Sequence, residues 1–285
     1  MIDLHVHTTC SDGRQTPTEV VDRAIAVGLE AIAITDHDTL AGYLQARDGA
    51  AGRVALIAGV EVSAAEARSA IHILGYGIDP HSAILADALA GIERQRRVRA
   101  AEIVERLNGM GLGLTMEMVG RVAAGAPITR AHIAQALVGN GLLRTHGSAF
   151  SRYLSDSSPA FVPHDLSGPA EAIDLVHRAG GVAVLAHPGL TRRDELIAGM
   201  IRAGLDGIEI VHPYHTPAMV RFYRQLADKH DLLATGGSDA HGTSSLDDRM
   251  GTIGMASSLF GQIEEAIAHR CNSRARGATA AAPTA

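Results

Sequence analysis

The chain has 285 residues, 46% hydrophobic and 20% charged, enough to bury a large core as one α/β domain or a domain with an insertion. A net charge of -6 argues against a protein that coats nucleic acid, and 3% aromatic residues with no Trp argue against base stacking on exposed rings as the main design. Cys10 and Cys271 lie too far apart in sequence for a disulfide framework, and there is neither a secretory leader nor a run of about 18 apolar residues, so the expectation is a reduced cytoplasmic protein.

The predicted elements begin at once with "MIDLHVHTTCSDG". Strand alternation predicts Asp3, His5 and His7 on one face, with Ile2, Leu4 and Val6 on the other. A buried polar row costs several kcal/mol unless each group is satisfied, which points to bound metal. Next, Thr16, Pro17 and Glu19 spell a capping box, and Val20, Val21, Ala24, Ile25 and Val27 give a helical stripe ending near Gly28. "AIAIT" is a strand followed by "DHD", which holds His37. "VALIAGVEVS" is a strand with Glu61, and "AIHILGYGI" is a strand with His72.

Residues 80–165 read as helices throughout and are expected to form an insertion over the active face. They include "IERQRRVRAAEIVERLNGMG", "TMEMVGRVAA", "TRAHIAQALVGNG" and "SAFSRYL". The strand pattern then resumes with "GGVAVLAHPG" and His187, "LDGIEIVHPYH" with Glu209, His212 and His215, and "LLATGGSDAHG" with Asp239 and His241. Residues 1–79 and 166–271 are thus expected to form the main domain, and the low-complexity end, residues 272–285, a disordered tail.

Roughly seven strand signals alternate mostly with helices or loops, and polar chemistry closes or follows each apolar run. An open parallel sheet also binds ligands at its strand ends, but a closed barrel better explains convergence from nearly every strand. The donors that would meet there are His5, His7, Asp12, His37, Glu61, His72, His187, Asp239 and His241. Any one of these histidines alone is more naturally a satisfied core residue; together they suit two or three divalent ions, Mn²⁺ foremost, with Zn²⁺ or Fe²⁺ as alternatives. Asp3 is expected to orient a ligand imidazole.

The ordered motifs "DLHVHTTCSDG", "TDHD", "GVEVS", "HILGYG", "AHPG" and "GSDAHG" resemble those of the PHP (polymerase and histidinol phosphatase) family, across nearly the whole chain. The resemblance implies a distorted (β/α)₇ barrel of the α/β class with a helical insertion and up to three metals. One ion would take His5, His7, Glu61 and Asp239, a second Asp12, His37 and His241, and a third His72 and His187, with Glu61 bridging. Water activated to hydroxide by ions on Asp12, His37, Glu61, Asp239 and His241 would attack phosphorus. His212 or His215 would serve as general acid.

The insertion is similar to that of a bacterial PHP branch acting on nucleoside 3′,5′-bisphosphates, some members of which trim short RNA from its 5′ end. Its stretches look like "RRVRAAEIVERL", "TRAHIAQALV" and "SRYLSDSSPAFVP", with Ser158 where a Lys is expected. Arg99, Arg130 and His132 are expected to grip a second phosphate, since guanidinium matches phosphate bidentately. Most of the other arginines near Arg94, Arg96 and Arg97 fit a solvated helix face equally well. The partners implied are a small nucleotide and short RNA, with no membrane and no stable protein partner. The rivals are a phosphatase of another monoester such as histidinol phosphate, a bimetallic amidohydrolase and a non-catalytic nucleic-acid-binding module.

Overall fold

A computed structural model describes residues 1–67, 69–242 and 248–280. Seven strands lie side by side in sequence order: β1 (Ile2–Val6), β2 (Ala31–Ile34), β3 (Ala55–Glu66), β4 (Ser69–Tyr76), β5 (Val182–Leu185), β6 (Gly207–Val211) and β7 (Leu233–Gly236). The ring closes where Val6 bridges Ala240 in parallel and the His7 N–H donates to the Ala240 carbonyl at 3.0 Å. Pairing is parallel except around β4, which runs antiparallel to both β3 and β5.

That reversal is the distortion in the barrel. β3 turns directly into β4 with no helix between them, so the beginning of β4 lies on the face where the parallel strands end. His72 therefore reaches the mouth from early in its strand, whereas His37, His187 and Asp239 reach it from just beyond theirs.

Apolar residues of β1, β2, β4 and β5 meet inside the ring: Ile2 and Leu4 pack with Ala31, Ala33, Leu74, Tyr76, Val182 and Val184, and Met255 and Ile263 join them. Outside, Val6, Ile32 and Ile34 pack on Val20, Val21 and Ala24 of the helix Pro17–Ala26. That helix starts as predicted, with Thr16 and Glu19 capping each other reciprocally. One extra residue in β1 between Asp3 and Val6 breaks the strict alternation expected there. Asp3 pairs beside Ile32, in the row of Val6, rather than with His5 and His7.

The helix Ala83–Gly109 joins the two regions. Leu85 and Leu89 pack with the outer barrel core, while Ile103, Val104 and Leu107 join a separate core. That second core draws on Leu114, Val119, Ile133, Leu137 and Leu154, from the segments that follow. The last helix runs Phe260–Ala280, so of residues 272–285, expected to form a disordered tail, those up to 280 are helical; residues 281–285 lie outside the described residues.

Away from the mouth, Asp206 accepts bonds from the Ala183 N–H at 2.8 Å, from the His177 ring at 2.7 Å and from Arg270. Burial opposes its charge, but these donors hold its pKa below the usual 3.8. The stabilisation is therefore complete above that value and fades as pH falls through the depressed pKa. Asp206→Asn should lower unfolding free energy by about 2 kcal/mol at neutral pH. In urea titrations the gap from the unmodified chain should narrow only in strong acid; a gap that widened there would refute this account.

Candidate metal centre

The first turn after β1 is shaped by Asp36, a fully buried carboxylate. It accepts the Thr8 N–H and hydroxyl at 2.7 Å each and the Ser11 hydroxyl at 2.5 Å, which fixes the loop presenting Asp12. On the far side, Gly237 passes so close to β1 that a Cβ there would lie 2.4 Å from the His5 Cβ. Two site residues, His187 at φ +26° and Asp239 at φ +49°, adopt backbone conformations that side chains other than glycine rarely take. Strain of this kind persists where surrounding bonds over-determine it.

Around these turns all nine predicted donors converge. Glu61 Oε2 lies 3.0 Å from His37 Nδ1, 3.3 Å from His7 Nε2 and 3.4 Å from His5 Nε2. Its Oε1 lies 2.8 Å from His72 Nδ1 and 2.9 Å from His187 Nε2. Asp239 Oδ1 is 3.1 Å from His7 Nε2 and 3.4 Å from His5 Nε2, and Asp12 Oδ1 is 3.4 Å from His241 Nε2. Ligand bonds of about 2.1 Å would place neighbouring donors roughly 3.0–3.4 Å apart, so these spacings fit divalent ions.

A further observation supports metal. His5 Nε2, His7 Nε2, Asp12 Oδ1 and His37 Nδ1 are buried with no hydrogen-bond partner, and all face the cluster. Burial disfavours charge on Glu61, Asp12 and Asp239, yet the surrounding imidazoles hold all three carboxyls well below their usual range. His7 is correspondingly pushed up to about 10 by Asp239 and Glu61 despite its burial, while burial drives His37 down to about 3. Three buried carboxylates require positive charge, which divalent cations held by these donors would supply in place of imidazole protons.

The donors fall into four overlapping groups: His5 with His7 and Glu61, all within the first expected set; His5 with His187 and Asp239; His7 with Asp12 and His241; and His37 with Glu61 and His72. Asp3 orients no imidazole; its carboxylate accepts the backbone N–H of Ser238 at 2.8 Å and of His5 at 3.3 Å. The ring of His5 is held instead by Glu209, whose Oε1 lies 3.0 Å from Nδ1. His215 is not placed to be an acid, since Nδ1 bonds the Ile210 carbonyl at 2.8 Å and Nε2 accepts the Gly189 N–H at 3.1 Å. At His212, Nδ1 accepts the Tyr214 N–H, which puts the ring proton on Nε2, 3.3 Å from Asp239 Oδ2.

Beside the cluster, a cavity of about 160 Å³ is lined by Asp12, His37 and His72 on the barrel side and by Arg96, Arg99, Arg130 and His164 on the other. Arg99 donates through Nε to the Val162 carbonyl at 2.8 Å, but its buried Nη2 has no partner. Burial, then repulsion from Arg130 and Arg96, pushes its pKa down to about 9. Arg130 also lines the cavity, already bound to Asp156 at 2.6 Å and to the Leu154 carbonyl at 2.9 Å. His132 does not line it, since its ring caps its own helix by accepting the Thr129 N–H at 3.2 Å. His164, which the sequence reading passed over, does; burial and the arginines lower its pKa, so its ring is neutral.

Arg96 is no solvated residue. It is 5% exposed, with Nε 2.6 Å from Asp38 Oδ2 and Nη2 2.6 Å from Ser63 Oγ, and so fastens the long helix to the barrel. Arg96→Met should strand Asp38 and cost about 3–5 kcal/mol. The melting temperature would then fall by roughly 10 °C. A fall under about 2 °C would show the pair to be dispensable.

The family model for the PHP domain matches residues 3–139. Over 84% of its length the chain is 37% identical to a 3′,5′-nucleoside bisphosphate phosphatase of Chromobacterium violaceum, covering 87% of that protein. The chain belongs to the PHP family. It is also 36% identical to the 5′-3′ exoribonuclease Rnm of Escherichia coli, over 84% of both chains. A Bifidobacterium adolescentis structure described as a metal-dependent phosphoesterase superposes with a TM-score of 0.84 at 33% identity, covering 92% of this chain and 94% of that one. With the donor cluster, these relatives make this PHP chain a metal-dependent phosphoesterase. Among the described residues no helix is long and apolar enough to cross a membrane.

Proposed function

We propose that this PHP enzyme removes the 3′-phosphate of nucleoside 3′,5′-bisphosphates in the cytoplasm, with Mn²⁺ as its metal and no stable protein partner. The observation that carries the reading is Arg99, whose unpartnered guanidinium nitrogen is buried in a cavity opening onto the metal donors. A phosphate held there, while a second lies at the cluster, selects a substrate bearing two.

Divalent ions on the nine donors would supply Lewis acidity toward phosphoryl oxygens and bring the pKa of water toward 7. The chain does the rest. Arg99 and Arg130 hold the remote 5′-phosphate and so fix the reach to the 3′-phosphate. The neutral ring of His164 gives that phosphate a hydrogen bond without adding charge. His212 Nε2–H, 3.3 Å from Asp239 Oδ2, would protonate the departing 3′-oxygen.

Trimming of RNA from its 5′ end is a second reading, favoured by the likeness to Rnm and by a cleft that would take a 5′-phosphate equally well. The test is phosphate release by Mn²⁺-loaded protein from adenosine 3′,5′-bisphosphate, 3′-AMP, 5′-AMP and histidinol phosphate, with a short 5′-phosphorylated RNA run beside them. The bisphosphate should be preferred, yielding 5′-AMP. Equal turnover of 3′-AMP would remove the remote phosphate from the account, and shortening of the RNA would extend the substrate class to oligonucleotides.

A further inference from the structure

Glu209 belongs to none of the donor groups, yet it is among the most deeply buried charges in the protein. It stands on β6 with no exposed surface, and both carboxylate oxygens are engaged. Oε1 lies 3.0 Å from His5 Nδ1, and Oε2 accepts the His187 N–H at 2.8 Å. We infer that Glu209 is the positioning carboxylate that locks His5 and His187 together, so that two metal-binding positions form or fail as one. The inference rests on the metal reading of the donor cluster.

The first bond fixes a tautomer. An ionised carboxylate only accepts, so Nδ1 of His5 carries the proton and Nε2 turns its lone pair toward Glu61 and Asp239, 3.4 Å from each. The second bond holds a strained backbone. His187 sits at φ +26° and ψ 59° and precedes Pro188, a context that drives a residue toward extended conformations. With its N–H anchored on Glu209, the His187 ring instead reaches Glu61 Oε1 at 2.9 Å. Asp3 does not share this role: its Oδ1 accepts only backbone N–H groups, those of His5 and Ser238.

The test is Mn²⁺ binding by the full chain, stripped and reloaded, with bound metal counted after gel filtration and affinity measured by calorimetry. Glu209→Gln keeps the shape, but its amide can accept from only one of the two N–H groups. It should retain the native circular dichroism and lose affinity about 10–100-fold at two positions together. His7, Asp12 and His241, a group without His5 or His187, should still hold an ion. Native metal content and affinity in Glu209→Gln would overturn the inference, as would a fall in metal-free melting temperature with affinity unchanged. If that variant does not fold, Glu209→Asp, too short to reach both partners, is read the same way. An unmodified chain that takes up no divalent ion would instead strike the metal reading beneath, so the two failures are distinct.

Discussion

Glu61→Gln is expected to abolish phosphate release, by about a thousandfold or more, while leaving a folded chain. One carboxylate faces five imidazoles, His72 and His187 through Oε1 and His37, His7 and His5 through Oε2. Asp239, by comparison, faces four, His5, His7, His212 and His241. Replacing Glu61 by a neutral amide removes a negative charge from each position it joins and puts an NH2 group, which cannot bind a cation, in place of one carboxylate oxygen. A single preorganised electrostatic contact at a reacting centre is worth about 10²–10³ in rate, and here several are lost together. The check is Mn²⁺ content beside turnover: both should collapse, with circular dichroism unchanged. A variant that kept its metal and a tenth of its turnover would show that Glu61 serves the fold and not the centre.

The donors were legible in the sequence because each one closes or follows an apolar run, a placement that barrel geometry turns into convergence. What was not legible came from pairing between distant segments. Nothing local to "AIHILGYGI" says that β4 runs backwards; the reversal shows only once both neighbours pair with it antiparallel. The bulge in β1 likewise depends on register with β2, and it reassigns Asp3 from the imidazole row to the backbone. Glu209 was visible in "GIEIV" as a carboxylate in an apolar strand, a signal that belonged beside the histidines, because a charge there must have a buried partner. His164 left no such trace, since a lone histidine after "FVP" has no periodicity to place it. Arg96 and Arg97 are adjacent, yet one ties the helix to the barrel and the other pairs with Glu93 on the exposed face, a difference of helical phase.

Arg99→Met is expected to separate the two phosphates of the substrate. Turnover of the bisphosphate, as kcat/KM, should fall about 10–100-fold, the worth of a charge-assisted bond to a buried phosphate. Turnover of 3′-AMP, which carries no remote phosphate, should change by no more than about twofold. The loss should appear mainly in KM, because the remote phosphate is bound alike in the ground and transition states. Arg99→Lys restores the charge but not the fork, so it should recover only part of the preference. Arg130→Met should matter less, because Asp156 and the Leu154 carbonyl already occupy that guanidinium. Arg130 and Arg96 repel the Arg99 charge, and a doubly charged phosphate would relieve that repulsion. Arg99 also braces the segment before His164 through the Val162 carbonyl, so a purely structural role makes a different forecast. Loosening that segment would slow mono- and bisphosphate alike, and an equal loss on both substrates would sink the remote-phosphate assignment while leaving the metal centre intact.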